Sequence, residues 1–294
     1  MFAAIIASIL GSVNSITYKK AVDHAEQHGY ADILMTWTNQ FMEWPLYIVA
    51  QFVLPSGMGF YLIWQDISFP IGAAFILLSV TLLFSNLAYQ YACSHEKVSV
   101  LAPYGELSGV FTILIAAILP FSRWNTSWHL IAIALITGLV VSLSSVNFRN
   151  LTFNRYCMVM ILANFISSLE NIAISFLLLH FTSFTVVSTQ WLLLLTVTSI
   201  VLLSKRHPVP LLNRDWQKLG KLTFANNVVW FTKQVIILTI ITQSGIIAAT
   251  LLGMLQFVGT LILAYFYFWD KPSKKDISLG IFIMVAVGLG LWGG

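Results

Sequence analysis

The stretch RYCMVMILANFISSLENIAISFLLLH, residues 155–180, decides the class of fold. Between Arg155 and His180 it runs from 156 to 179 with a single charge, Glu170, deep inside it. A helix rises 1.5 Å per residue, so about 20 apolar residues cross the roughly 30 Å hydrocarbon core of a bilayer. The run is therefore read as a membrane helix that carries a carboxylate far from either end. Even lenient scales put a charge at a helix centre at roughly 2.5–3.5 kcal/mol, so such a group normally faces a partner or a watery cavity. Asn164, Ser167, Ser168 and Asn171 recur around it at three to four residues, one polar stripe on one helix face.

Nine other runs repeat this character: 1–18, 32–54, 70–92, 98–120, 128–147, 184–204, 219–242, 246–268 and 276–292. The chain of 294 residues is 58% hydrophobic and 9% charged, with a mean hydropathy of +0.85. That composition lies far from soluble domains. The expected architecture is an all-α integral membrane protein with ten transmembrane helices and no soluble domain. Met1 to Thr17 lacks a basic leader and carries Lys19 and Lys20 on the wrong side for a signal peptide, so it reads as the first permanent span. Cys93 and Cys157 sit at span edges and spell neither a disulfide framework nor a metal site.

The basic residues are unevenly placed. Loops after odd-numbered runs hold Lys19, Lys20, Lys97, Arg149, Arg155, Lys205, Arg206, Arg214, Lys218, Lys221, Lys271, Lys274 and Lys275, whereas even-numbered loops hold only Arg123. By the positive-inside rule the odd loops are cytoplasmic and both termini face outward. The net charge of +4 thus reflects membrane topology rather than a nucleic-acid stripe.

The gap from Arg149 to Arg155 divides the chain into halves, 1–149 and 155–294, of five runs each. Ser12-Val13-Asn14-Ser15-Ile16 aligns with Ser168-Leu169-Glu170-Asn171-Ile172. A shift of 147 places Phe121-Ser122-Arg123-Trp124-Asn125-Thr126 on Phe268-Trp269-Asp270-Lys271-Pro272-Ser273, Asn86 on Lys233 and Glu106 on Gly253. An odd number of spans per half inserts the halves in opposite senses. The expectation is two inverted five-helix repeats, an arrangement that builds transporters with a site near the midplane.

Gly11-Ser12-Val13-Asn14 before Lys19, Ala102-Pro103-Tyr104-Gly105-Glu106-Leu107 followed by Gly138, and Phe268-Trp269-Asp270-Lys271-Pro272-Ser273 followed by Gly280 and Gly288-Leu289-Gly290 carry a family resemblance. Over its whole length the chain resembles the drug/metabolite transporter superfamily, in its EamA-like branch. In that resemblance Arg123 replaces a turn acid in the first half, and Trp269-Asp270 stand where the family has Gly-Glu. The resemblance implies ten spans, transport by alternating access and cytoplasmic termini, the opposite orientation to that of the charge count.

Four charges lie inside the runs: Glu43, Glu106, Glu170 and Lys233. Glu170 is the first candidate for substrate binding, with Asn171 beside it and Asn14 as its repeat mate. Satisfying a helix-packing contact is the competing role. Lys233 has Asn226, Asn227, Trp230 and Gln234 nearby and Asn86 as its mate. It either binds a substrate anion or neutralises Glu170 or Glu106. Glu43 shares a face with Gln40 and Trp44 ahead of a bend expected at Pro45. Glu106 follows Pro103 and Tyr104 and is also placed to snorkel toward a helix end. Trp37, Tyr89, Tyr104, Trp191 and Trp230 sit beside polar residues within spans, and rings around an acid suit an organic cation.

His24, His28, His95 and His207 fall in loops and His129 and His180 at run ends. No metal, nucleotide or hydrolase motif occurs, so neither a cofactor nor an enzyme is expected. The expected function is secondary transport of a small polar, cationic or zwitterionic metabolite, driven by a gradient and coupled to protons at a carboxylate. The expected partners are that substrate and the lipid bilayer, with no nucleic acid, for a monomer or homodimer in a bacterial inner membrane. The alternative is an intramembrane enzyme or flippase acting on a lipid-linked substrate, and a third reading is a membrane scaffold.

Overall fold

The computed structural model describes residues 2–30, 32–53, 68–118, 128–144, 146–147, 152–205 and 213–292. The turn at 121–126 with Arg123, the residues Arg149 to Leu151, and Arg206 with His207 lie outside the described residues. The described chain is helical: α1 (Phe2–Gln27), α2 (Asp32–Phe41), α3 (Trp44–Val53), α4 (Phe69–His95), α5 (Val98–Gly105), α6 (Leu107–Ile118) and α7 (Trp128–Ser144) come first. A two-residue antiparallel pair, β1 (Val146–Asn147) with β2 (Thr152–Phe153), then leads into α8 (Arg155–Leu177), α9 (Ser183–Ser204), α10 (Arg214–Gly253), α11 (Gln256–Phe268) and α12 (Lys274–Trp292).

Among the described residues, five helical segments are long and apolar enough to cross a membrane: Phe69–His95, Val98–Ile118, Arg155–Leu177, Ser183–Ser204 and Arg214–Ile241. Burial is reversed from that of a soluble domain. Phe52 and Phe69 are 85% and 90% exposed, while Glu43, Gln90, Glu170, Gln190, Asn226 and Asn227 are buried. Large exposed apolar side chains around a polar interior are the combination that needs explaining in any protein, and a lipid surround explains both.

Breaks fall where the backbone loses a donor or gains a polar side chain. The bend expected after Pro45 is a full interruption at Met42–Glu43, because Pro45 has no N–H to give the carbonyl of Phe41. A second break sets Glu106 between α5 and α6, just after Pro103. The gap expected between 242 and 246 falls inside α10, which extends to Gly253. Yet Lys233 and Gly253 line one cavity, whereas a straight helix would hold them about 30 Å apart. The chain therefore doubles back within α10.

Helix α1 lies along α10 and α11, and α8 lies along α4 and α6; α2 meets α9, α5 meets α11, and α7 meets α12. The α1–α11 contact is close because both sides are small. A methyl on Gly11 would sit 2.0 Å from Gln256 Oε1, and one on Gly259 would sit 2.3 Å from Ser12 Oγ. Small residues of this kind let membrane helices approach backbone to backbone.

One end of the bundle is tied by polar contacts. Lys19 pairs with Asp23 at 2.7 Å and donates to the Cys93 carbonyl, and His24 bonds the Asp215 carbonyl at 3.0 Å. Asn154 caps α8 by accepting from the Tyr156 and Cys157 amides, and its Nδ2 donates to Glu96 at 2.9 Å. Asp270 accepts from the Ser99 amide at 3.1 Å and faces Lys97 at 3.7 Å. These contacts gather the described odd-loop lysines at that end.

Candidate functional site

Two cavities lie inside the bundle. The first, of about 250 Å³, is lined by Tyr18, Tyr89 and Cys93 and by Asn14, Gln40 and Glu43. The second, of about 310 Å³, lies further along and is bounded by Glu106, Glu170, Lys233 and Thr250. Asn86, Ser167, Trp230 and Gln256 belong to both walls, so the two cavities are adjacent. A third hollow of about 480 Å³ is an apolar groove between α11 and α12, walled by the exposed Ile262, Phe266 and Ile281, and faces lipid.

The second cavity holds two acids and one base. Glu170, on the buried face of α8, accepts from Gln190 Nε2 at 2.9 Å and from Ser167 at 3.4 Å. Lys233, on α10, donates to Gln256 Oε1 at 2.8 Å. Glu106 sits at the α5–α6 break; its carboxylate makes no hydrogen bond among the described residues, and Lys233 is the charge that acts on it. With all three ionised the groups sum to −1, a balance that favours a cation while keeping one positive group for an anionic tail. In this low-dielectric setting each charge acts more strongly than it would in water.

The first cavity is walled by amides and rings. Gln40 and Glu43 come from the broken α2–α3 segment, Asn14 from α1, and Asn86 and Tyr89 from α4. Trp191 stacks on Tyr47 with centroids 4.7 Å apart and donates to the Gln40 carbonyl at 2.7 Å, which holds α9 against the break. Asn171 lines the second cavity and donates to Thr112 at 3.1 Å.

Of the residues singled out in the sequence, Trp37 and Tyr104 do not reach either cavity. Trp37 stacks on Phe41 and donates to Ser199 at 2.9 Å, a helix-packing bond between α2 and α9. Tyr104 is buried with its hydroxyl on Ser144 at 2.8 Å, joining α5 to α7. Ser168, placed on the polar stripe of α8, turns back onto the Phe165 carbonyl at 2.6 Å and lines neither cavity. Lys233 is held by an amide rather than by Glu170. Glu106 does not snorkel; the break keeps it at the cavity.

Residues that a search for charge passes over complete the walls: Gln190, Gln256, Ser15 and Thr260. Gln256 is the most connected, with Nε2 on Ser15 at 3.2 Å and its carbonyl accepting from Ser12 at 2.8 Å. A polar side chain flanked by Leu255 and Phe257 was the available signal.

No protein-family model matches the sequence, and no curated protein matches it. Among solved structures, one described as "Crystal structure of protein" superposes with a TM-score of 0.66 at 13% identity, covering 99% of this chain and 96% of that one. At that identity the likeness establishes a shared fold over nearly the full length.

Proposed function

We propose that the protein is a secondary transporter of the drug/metabolite type, with ten spans arranged as two inverted five-helix repeats. It moves a small polar, cationic or zwitterionic metabolite across a bacterial inner membrane by alternating access, with proton exchange at Glu170. The observation that carries the reading is the second cavity. Glu106 from the first half lines it together with Glu170 and Lys233 from the second, and it adjoins the first cavity across shared wall residues. Three buried ionisable groups around one hollow are costly unless a charged ligand passes there.

The repeat is supported by packing that survives exchange of the halves. In that exchange α1 answers to α8, α10 to α4, and α11 to α6; α1 lies along α10 and α11 as α8 lies along α4 and α6. Ser15 bonds Gln256 on α11, and its mate Asn171 bonds Thr112 on α6. Val110 packs where a side chain on Gly138 would go, and Phe257, its mate at a shift of 147, does the same at Gly280. The resemblance gains support from Trp269, which adopts φ 53° at the position where the family has glycine.

The test is flux into liposomes. Reconstituted protein should show gradient-driven uptake of at least one compound from a panel of amines, amino acids and cationic drugs. A metabolite that raises the thermal midpoint of the wild type should lose that effect in Glu170→Gln and Lys233→Ala. Absence of flux across the panel, or an undiminished ligand response in both variants, overturns the reading.

A further inference from the structure

The wall of the first cavity has too many acceptors. Buried oxygens without a hydrogen-bond donor among the described residues include Asn14 Oδ1, Asn39 Oδ1, Glu43 Oε2 and Gln190 Oε1, all from residues that line this cavity, with Asn227 Oδ1 just behind. Glu43 is 3% exposed, Gln190 1% and Asn227 0%. A buried acceptor left without a partner costs about 1–3 kcal/mol, more when charged, so a cluster of them calls for an occupant.

Amide orientation does not remove the surplus at Gln190 and Asn227. Gln190 spends its Nε2 on the Glu170 carboxylate at 2.9 Å, and Asn227 spends its Nδ2 on the Asn39 carbonyl at 2.6 Å. Rotating either amide would set oxygen against oxygen. Their own oxygens are therefore fixed as acceptors pointing away from those bonds. When ionised, Glu43 has acceptors and no donor, and it has no salt-bridge partner among the described residues. The Tyr47 hydroxyl one turn on is its nearest donor, yet neither that hydroxyl nor Glu43 Oε2 meets hydrogen-bond geometry.

The groups are brought together by the helix break. Asn39 and Glu43 are four residues apart at the end of α2, so they share a face. Trp191, next to Gln190, bonds the Gln40 carbonyl and stacks on Tyr47, which seats this turn of α9 on the break. Interrupted membrane helices are where backbone and amide oxygens coordinate coupling ions.

We propose that Glu43, Asn39 and Gln190, faced by Asn14, form a binding site for an alkali-metal cation, separate from the charged groups of the second cavity. One carboxylate with neutral oxygens is balanced by a single positive charge, whereas a divalent ion would leave a net charge buried in low dielectric. The donor set is all oxygen, and no group of three or more His, Cys, Asp or Glu exists among the described residues, so a thiophilic or imidazole-binding metal does not fit. Only the purpose of the site, coupling, rests on the transport reading; its chemistry does not.

The test uses the full purified chain without any organic substrate. Thermal unfolding is followed by tryptophan fluorescence in sodium, potassium or choline chloride at equal ionic strength. Sodium or potassium should raise the midpoint by about 3 °C or more over choline at saturating salt. Glu43→Gln and Gln190→Met should weaken the apparent affinity at least tenfold, while Tyr104→Phe keeps it. If Glu43→Gln does not fold, Gln190→Met and Asn39→Leu decide. Equal midpoints in all three salts, or an unchanged response in the wall variants, overturn the site. Cation binding without flux leaves this site standing, and flux without cation binding leaves only the transport reading.

Discussion

Gly11→Ala is the sharpest probe of how α1 is locked to α11. The new methyl would lie 2.0 Å from Gln256 Oε1 and 2.5 Å from its Cδ, so Gln256 must swing away. In doing so it releases Lys233 Nζ, now 2.8 Å from Oε1, and Ser15, 3.2 Å from Nε2. Losing a hydrogen bond to a charged group costs roughly 1.5–3 kcal/mol and a neutral one about 1 kcal/mol. Alanine returns about 1 kcal/mol through helix propensity. The net expectation is a loss of about 2 kcal/mol, or a midpoint lower by about 5 °C for a chain of this size. The decisive comparison is a double-mutant cycle in detergent. In Gln256→Ala the obstacle is gone, so Gly11→Ala there should be neutral or stabilising. The sign of one substitution thus reverses with its partner. Destabilisation of equal size in both backgrounds, or a stabilising Gly11→Ala in the wild type, would refute the contact.

Trp269→Gly should raise stability by about 1 kcal/mol, since φ 53° costs an ordinary side chain roughly 1–2 kcal/mol that glycine avoids; a loss on thermal unfolding would show that the exposed indole holds the turn instead. Asp270→Asn should cost about 1–2 kcal/mol by weakening a charge-assisted bond to the Ser99 amide, whereas Lys97→Met should cost under about 1 kcal/mol because Lys97 is 68% exposed. Equal effects of the two would place the stability in the ion pair. Trp37→Phe and Tyr104→Phe should each lower the midpoint by the worth of one hydrogen bond, about 1 kcal/mol, and leave ligand responses unchanged; a loss of ligand response in either would return that residue to the site.

Hydrophobic runs are legible because the bilayer imposes length and polarity together, and helix ends such as Phe69–His95 and Ser183–Ser204 follow the runs at 70–92 and 184–204 within a few residues. The break at Glu106 was signalled by Pro103, and that at Met42–Glu43 by Pro45. The break at Met254–Leu255 carries no proline, and the run 242–246 looked like a loop because Gln243, Ser244 and Gly245 are polar or small. The chain does reverse between Lys233 and Gly253, so a turn in this stretch is what those residues signal. For the site, formal charge found Glu170, Lys233, Glu43 and Glu106 but says nothing of what holds them. Gln190 and Gln256 escaped because an amide in an apolar run is cheap enough to need no explanation. Trp37 and Tyr104 were included because a ring beside polar neighbours reads alike whether it faces a cavity or a helix.

The manner in which the buried charges are held bears on what they can do. Glu170 is held by Gln190 and Lys233 by Gln256, amides in both cases, and neither forms a salt bridge among the described residues. Two unit charges in contact attract by about 4 kcal/mol at an effective dielectric of 20, and more in a drier setting. A hydrogen bond from an amide to a charge is worth roughly 1.5–3 kcal/mol. An ion arriving from water must displace whatever holds the site. Against an ion pair it would have to break the stronger contact and leave one charge stranded. Against an amide it displaces a weaker, neutral group that re-pairs with water or with a neighbour such as Ser15. Amide-held charges therefore stay satisfied when the cavity has no ligand and yield when one arrives.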